Sequence, residues 1–288
     1  MAAADRADWR DDGQLLIEGF VLFNFAGLIA DIYLAHSTNQ FRRTTEYIPF
    51  YFSFAATVIL GVIVAFRRRH PSVWRDVGHL IGWVAVAVGL AGVILHLDSQ
   101  FFHARTIKSL TYAAPFAAPL AYTGLGLLLI ANRLLTPDSL EWGQWMLFLA
   151  LGGFMGNFVF SLTDHATNGF FNPLEWLPVV TSAFAVGFLL VPLLVSVPRS
   201  FLWACAGVLG VQAVVGLVGF ALHAAADLRQ PAATWFDRIL SGAPPLAPLL
   251  FPNLVILGLI ALRVLSQAGG TSQNGSDRLS ASARTRRR

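Results

Sequence analysis

The sequence predicts an all-α polytopic membrane protein, with eight transmembrane helices arranged as two tandem, parallel four-helix repeats. Hydrophobic residues make up 56% of the 288 residues and charged residues only 12%, whereas about one quarter of a soluble domain is charged. Long apolar runs recur along the chain, and two polar blocks of the first half reappear in the second. The single cysteine, Cys205, excludes a disulfide scaffold and C-x-x-C redox chemistry.

The apolar runs are long enough to cross a membrane as helices. A bilayer core about 30 Å thick is spanned by about 20 apolar helical residues. Backbone groups in lipid must find hydrogen bonds within their own segment, so these runs are predicted to be helical. The alternation typical of outer-membrane barrel strands is absent. The eight predicted spans are residues 14–36, 47–67, 78–98, 112–134, 143–164, 176–197, 202–224 and 247–267.

The two ends of the chain are predicted to lie in the cytoplasm. Residues 1–13 are acidic and lack the basic start of a cleaved signal peptide. Residues 268–288 are rich in Gly, Ser and Arg, which predicts a disordered basic tail. Arginines concentrate on the side of the termini, including 67–69, and positive loops stay cytoplasmic. We therefore expect a multi-pass protein of a bacterial-type inner membrane.

The internal repeat is visible in two blocks that share one offset. Residues 36–49 and 165–178 are identical at six of 14 positions, and residues 114–120 and 243–249 at five of seven. The offset from 36 to 165 is the same as that from 114 to 243, while His96 and His223 match with a two-residue slip. The predicted repeats are therefore 14–134 and 143–267. Four helices in each repeat give both the same orientation, with an axis along the membrane normal.

The matched polar residues fall at helix ends on one membrane face, predicted to be the outer one. Each repeat offers a histidine and an asparagine after its first helix, a glutamate before its second, and a histidine and an aspartate ending its third. Ionisable groups at membrane depth are costly and indicate function. Imidazole with carboxylate suits Fe, Cu, Zn or Mn, and paired histidines suit haem b. The predicted metal ligands are His36, Glu46, His96, His165, Glu175 and His223.

Five further residues complete the predicted sites. Asn39 and Asn168 are expected to orient the ligands from outside the coordination sphere. Asp98 and Asp227, together with Asp31 in the body of the first helix, are candidate proton carriers. The leading hypothesis is a membrane-bound metal or haem protein, redox-active, whose site lies near the extracytoplasmic face.

Three other interpretations stay open at this stage. In a purely structural one, the asparagines form Asx turns and the glutamates complement the positive start of the next helix. In another, the chain is a secondary transporter or an ion or proton channel that uses Asp31 and the repeated carboxylates. In the third, it is a non-catalytic membrane subunit that docks a periplasmic or membrane protein partner through its outer loops.

The sequence lacks the motifs expected for nucleotide-driven transport and for nucleic-acid binding. No G-x-x-x-x-G-K-[ST] loop is present, which argues against nucleotide-driven transport by this chain. The net charge of +4 is divided between loops and tail, without a basic face interleaved with aromatic residues. We therefore expect no nucleic-acid partner and take the lipid bilayer as the surrounding medium.

Overall fold

The structure is a computed structural model that describes the backbone of residues 12–285 and the side chains of residues 12–267. Every regular element within that range is helical, and seven helices are long and apolar enough to cross a bilayer. The chain is therefore a multi-pass membrane protein. The long helices are α1 (Gly13–Ser37), α2 (Tyr47–Ala65), α3 (Pro71–Asp98), α7 (Leu140–Thr167), α8 (Trp176–Leu194), α9 (Arg199–Arg229) and α11 (Leu250–Thr285).

The remaining helices are short. They are α4 (Phe101–Ala104), α5 (Ile107–Thr111), α6 (Leu120–Leu134) and α10 (Trp235–Ser241), with single 3₁₀ turns at Thr44–Glu46, Pro173–Glu175 and Ala247–Leu249. Of these, α4, α5 and α10 lie in the loops after α3 and α9.

The fourth predicted span is shorter than the sequence suggests. Residues 112–134 were expected to be helical, but α6 has only 15 residues, about 22 Å of helix against a bilayer core of about 30 Å. The chain before it forms turns, because Pro115 and Pro119 have no backbone N–H to donate within a helix. Seven helices meet the length criterion for a span, and α6 is too short to do so.

Several other boundaries also differ from the prediction. Helix α3 begins at Pro71, well before the predicted start at 78, and the proline occupies a favourable first position. Helix α11 continues to Thr285, through most of the segment expected to be a disordered tail. Residues 1–11 of the predicted N-terminal segment lie outside the described residues.

The helices pack as two groups of four. In the first group α1 packs on α2 and α3 on α6, and in the second α7 packs on α8 and α9 on α11. The groups meet through two corresponding pairs, α6 with α7 and α1 with α11. Between α1 and α11, the Asn24 and Asn253 amides hydrogen-bond to each other.

A close approach of glycine to a proline carbonyl occurs in both groups. A Cβ on Gly89 of α3 would lie 2.9 Å from the Pro119 carbonyl oxygen, and one on Gly216 of α9 would lie 2.6 Å from that of Pro248. Only glycine allows backbones this close. The third helix of each group is thereby held against the start of the fourth.

Candidate functional site

The loops after α1 and α7 fold in the same way. Gln40 and Phe41 have positive φ angles of 60° and 49°, and Gly169 and Phe170 have 73° and 53°. The side chain of the preceding asparagine accepts a hydrogen bond from Phe41 N at 3.1 Å in one loop and from Phe170 N at 3.0 Å in the other. These are Asx turns, so the structural role considered for Asn39 and Asn168 is confirmed.

Each loop returns the chain to a glutamate that faces the histidine ending the previous helix. Glu46 and Glu175 are the N-cap residues of α2 and α8, where a carboxylate complements the positive helix terminus. The distance between His36 Nδ1 and Glu46 Oε2 is 3.6 Å, and that between His165 Nδ1 and Glu175 Oε2 is also 3.6 Å. The same pair is therefore built twice.

The facing atoms in each pair are shielded and incompletely bonded. The side chains of the first pair are 18% and 13% exposed, and those of the second pair 15% and 11%. Oε2 of Glu46 and Oε2 of Glu175 are buried and have no hydrogen-bond partner. A separation of 3.6 Å is too long for a hydrogen bond. A cation or a water between nitrogen and oxygen would satisfy both atoms.

A second histidine stands beside each pair. The ring centroids of His36 and His96 are 6.2 Å apart, and those of His165 and His223 are 6.4 Å apart. In each half the second ring is nearly perpendicular to the first. We call His36, Glu46 and His96 the first cluster, and His165, Glu175 and His223 the second cluster. The structure thus brings all six predicted ligands into two matching groups.

The second histidine of each cluster is fixed by a proline carbonyl. His96 Nδ1 lies 2.9 Å from the Pro115 oxygen, and His223 Nδ1 lies 2.9 Å from the Pro244 oxygen. A carbonyl can only accept a hydrogen bond, so Nδ1 carries the proton and Nε2 keeps a free lone pair. Metal-binding histidines are commonly held in this way.

The clusters are looser than an assembled metal centre. Among the described side chains, no group of three or more His, Cys, Asp or Glu is placed closely enough to hold a metal ion as it stands. In each cluster the first histidine and the glutamate are near neighbours, and the second histidine is one ring farther away. A shared ion would draw the second ring toward the pair.

The two asparagines differ in what their amides reach. Asn39 Nδ2 donates to Glu46 Oε1 at 3.3 Å, which is the orienting contact predicted for it. Among the hydrogen bonds of the described residues, Asn168 makes no corresponding bond to Glu175. The first cluster is therefore more tightly tied to its loop than the second.

The aspartates predicted as proton carriers are not equivalent. Asp98 is half exposed and lies 3.9 Å from Arg43. Asp227 is only 3% exposed, and its Oδ1 accepts from Ala243 N at 2.8 Å. In the first half Ser99 Oγ makes that bond, accepting from Ala114 N at 2.8 Å. Ser99 and Asp227, rather than Asp98 and Asp227, therefore accept the equivalent hydrogen bond in the two halves.

Asp31 lies outside both clusters. It is half buried on α1, within electrostatic range of the Tyr122 hydroxyl. The Tyr122 hydroxyl itself donates to the Pro49 carbonyl at 3.0 Å and is hydrogen-bonded to Ser53. The contacts described for His36 do not include Asp31, so the expected proximity of these two residues is not seen.

A buried ion pair near the opposite membrane face was missed by sequence reasoning. Glu18 of α1 and Arg133 of α6 form a salt bridge of 2.8 Å, with side chains 1% and 0% exposed. A second bond, from Arg133 Nη2 to Glu18 Oε2, measures 3.0 Å. The guanidinium also stacks on the Trp74 ring at 4.5 Å. The available signal was two opposite charges inside the predicted spans 14–36 and 112–134.

Uncharged groups complete this network. Asn132 donates to Glu18 Oε1 at 3.0 Å and accepts from Trp142 Nε1 at 3.2 Å, which links α6 to α7. Gln14 Nε2 donates to the Asn132 carbonyl at 2.8 Å. At the offset of the two repeat blocks, the counterparts of Glu18, Asn132 and Arg133 are apolar, namely Leu147, Ala261 and Leu262. The network therefore exists only in the first half.

Comparison with known proteins gives no further guide to function. The chain matches no protein-family model, no curated protein and no solved structure.

Proposed function

We propose that the protein is an integral membrane protein that binds two transition-metal ions, one at each cluster, and is redox-active where these are iron, copper or manganese. The observation that carries the proposal is the buried, unpartnered Glu oxygen that faces an imidazole nitrogen at 3.6 Å in both halves. Two donor atoms that share an ion, each about 2.1 Å from it, lie about 3 to 3.5 Å apart. A small closure of either pair would therefore suit a metal ion.

The available donors favour iron, copper, zinc or manganese. Imidazole and carboxylate together are typical ligands of these ions. The free Nε2 of His96 or His223 supplies the third donor once its ring moves toward the pair. The remaining coordination positions stay open beside the loops, where solvent or a substrate has access.

Haem b is the second form of the same proposal. Two histidines on opposite sides of a haem iron bind it through one ring nitrogen each. In both clusters the Nδ1 atoms face a carboxylate or a carbonyl, which leaves both Nε2 atoms free. The polar turns beside His36 and His165 favour a small ion over a porphyrin.

We also propose that the chain is a tandem duplication, with repeats 14–134 and 143–267 and both termini in the cytoplasm. The support is that the Asx turns, the His–Glu pairs, the histidine–carbonyl bonds and the glycine–proline approaches all recur between the two groups. In this arrangement α6 and the turns before it make the fourth crossing. The clusters then face the extracytoplasmic side.

Metal analysis of the purified protein tests the function. The wild-type protein in detergent, dialysed against each metal and measured by elemental analysis, should carry two ions per chain. Glu175→Gln combined with His165→Ala should reduce the content to one ion, and the addition of Glu46→Gln and His36→Ala should reduce it to none. A Soret band in the visible spectrum would assign haem b in place of a small ion.

The matched control is a histidine outside the clusters. His103 is exposed in the loop that contains α4, so His103→Ala should retain both ions. Metal content far below one ion per chain in the wild-type protein, without a Soret band, would remove the proposal. Equal loss of metal in His103→Ala and the cluster variants would show that the bound metal is adventitious.

A further inference from the structure

Polar side chains line the interior beneath the second cluster. Asn157, Ser161 and Asp164 lie on the same face of α7 as His165, at helical spacing. Asn157 and Ser161 are only 5% and 6% exposed, so this face points into the helix core. At the offset of the two repeat blocks, their counterparts in α1 are Leu28 and Ile32. The polar face is therefore peculiar to the second half.

A second polar side chain enters the core from α9 at a similar depth. Gln212 is fully buried and precedes His223 on the same helix by about 16 Å along its axis. Asn157 precedes His165 by about 12 Å along α7.

Both helices pack here on the same stretch of α11. Gly153 of α7 is in contact with Leu254, and Gly216 of α9 with Phe251. When α3 and α9 are aligned on His96 and His223, the counterpart of Gln212 is the fully buried Ala85.

The amides of these two residues have no partner in the protein. Nε2 and Oε1 of Gln212 and Nδ2 of Asn157 are all buried without a hydrogen bond. Lipid cannot supply one, and buried polar groups in proteins are almost always bonded, to ordered water where no protein group is near. Glu18 and Arg133, by contrast, are buried and bonded to each other. Ordered water is therefore the partner expected for Gln212 and Asn157.

We propose that the core of the second half binds a column of water that is continuous with the membrane face of the clusters. The column begins beside His165, passes Asp164 and Asn157, and ends at Gln212. Beyond that point the core is closed by side chains with no exposed surface, including Cys205, Leu209 and Leu189. The first half has Leu28, Ile32 and Ala85 at the matching positions, so we expect no corresponding column there.

This column makes the two clusters functionally unequal. The second cluster contacts water at its loop and also on its inner side, where the column ends against closed core, so the column hydrates His165 from within the bundle. The first cluster meets water only at its loop. The inference rests on the buried amides and stands whether or not either cluster binds a metal ion.

Hydroxyl-radical footprinting of the unmodified protein in lipid nanodiscs tests the column. Radicals formed from bound water oxidise the aromatic rings beside it. Phe154 lies one turn from Asn157 on α7, and Phe25 is its counterpart on α1; both are 0% exposed. We expect Phe154 to be oxidised several-fold faster than Phe25. Equal and slow oxidation of the two rings would overturn the proposal.

Cysteine labelling gives an independent measurement. In a Cys205→Ala background, Asn157→Cys and Gln212→Cys should react with a charged, membrane-impermeant thiosulfonate. The matched variants Leu28→Cys and Ala85→Cys should not. Cys205 of the wild-type protein should stay unreactive, because it lies beyond the end of the column.

The labelling result is interpreted only for cysteine variants that elute as a single species in size-exclusion chromatography. Reactivity at 157 and 212 no greater than at 28 and 85 would contradict a water-filled core. If the cysteine variants do not fold, the footprinting ratio of Phe154 to Phe25 decides the question alone.

Discussion

The two halves agree at one membrane face and differ at particular positions deeper in the bundle. At the face of the clusters, the loops, the His–Glu pairs and the histidine–carbonyl bonds have the same geometry in both. Near the opposite face the first half buries an ion pair, where the second half has Leu147 and Leu262. Beneath the clusters the second half buries unpaired amides, where the first half has Leu28 and Ala85.

This difference separates the geometry that the two groups share from the side chains that vary between them. Either an apolar or a charged interior is sufficient to hold four helices together, because both solutions occur on the same backbone plan. The clusters have the same residue types in both groups although they contribute little apolar packing. The proposed chemical role of the clusters predicts this agreement.

The largest expected effect comes from breaking the ion pair of the first half. Arg133→Met leaves the Glu18 carboxylate buried without a counter-charge, which costs about 3–5 kcal/mol of unfolding free energy. The measurement is denaturant-induced unfolding in detergent. The control Arg75→Met removes an exposed partner of Asp76 and should cost under about 1 kcal/mol.

The second half has leucines at the positions of Glu18 and Arg133, so a leucine pair can be tested in the first half as a comparison with Arg133→Met. The double variant Glu18→Leu with Arg133→Leu should be more stable than Arg133→Met, since neither charge is left unpaired. If the double variant is the less stable of the two, leucine at positions 18 and 133 stabilises the first half less than an incomplete polar network does.

An intermediate effect is expected at the two glycine–proline approaches. In Gly216→Ala the new methyl group meets the backbone of Pro248, and in Gly89→Ala that of Pro119, so each should cost about 1–3 kcal/mol. Thermal unfolding of both variants in the same detergent measures it. Gly124→Ala and Gly210→Ala, where nothing lies within 4 Å, should be neutral or stabilising by up to about 1 kcal/mol. A loss in only one half would argue against the duplication.

The smallest expected effect is the difference in unfolding free energy between variants at Ser99 and at Asp98. Ser99→Ala removes the acceptor for Ala114 N and should lower the unfolding free energy by about 1 kcal/mol. Asp98→Asn, at a half-exposed position, should change it by less than about 0.5 kcal/mol. A larger loss of unfolding free energy in Asp98→Asn than in Ser99→Ala would indicate that Asp98 is the counterpart of Asp227.

The sequence was sufficient to predict the long helices and the residues that meet at the clusters. Span length follows from bilayer thickness, and the offset shared by the two repeat blocks placed equivalent residues at equivalent helix ends. The shortening of α6 was not anticipated, because an apolar run containing Pro115 and Pro119 looks long enough by hydropathy alone. The two prolines remove backbone donors, so hydropathy overstates the length of the helix.

Contacts between residues far apart in the sequence could not be predicted from local patterns. Glu18 and Arg133 are 115 positions apart, and nothing local indicates that α1 and α6 are neighbours. The sequence also did not show that Ser99 and Asp227 accept equivalent hydrogen bonds. Alignment pairs residues of the same type, and here a serine and an aspartate make the same contact.

The contact of α1 with α11 closes the chain into a ring of helices. The first and last membrane helices are neighbours, just as α6 and α7 are neighbours across the loop at 135–139. The polypeptide crosses the α6–α7 junction, which also contains the Trp142–Asn132 bond, whereas the α1–α11 side is bridged by the Asn24–Asn253 bonds and by Tyr33 against Phe236 of α10. The last membrane helix is therefore placed by contacts with the first as well as with its own group, so loss of the Asn24–Asn253 bonds would loosen both ends of the chain together.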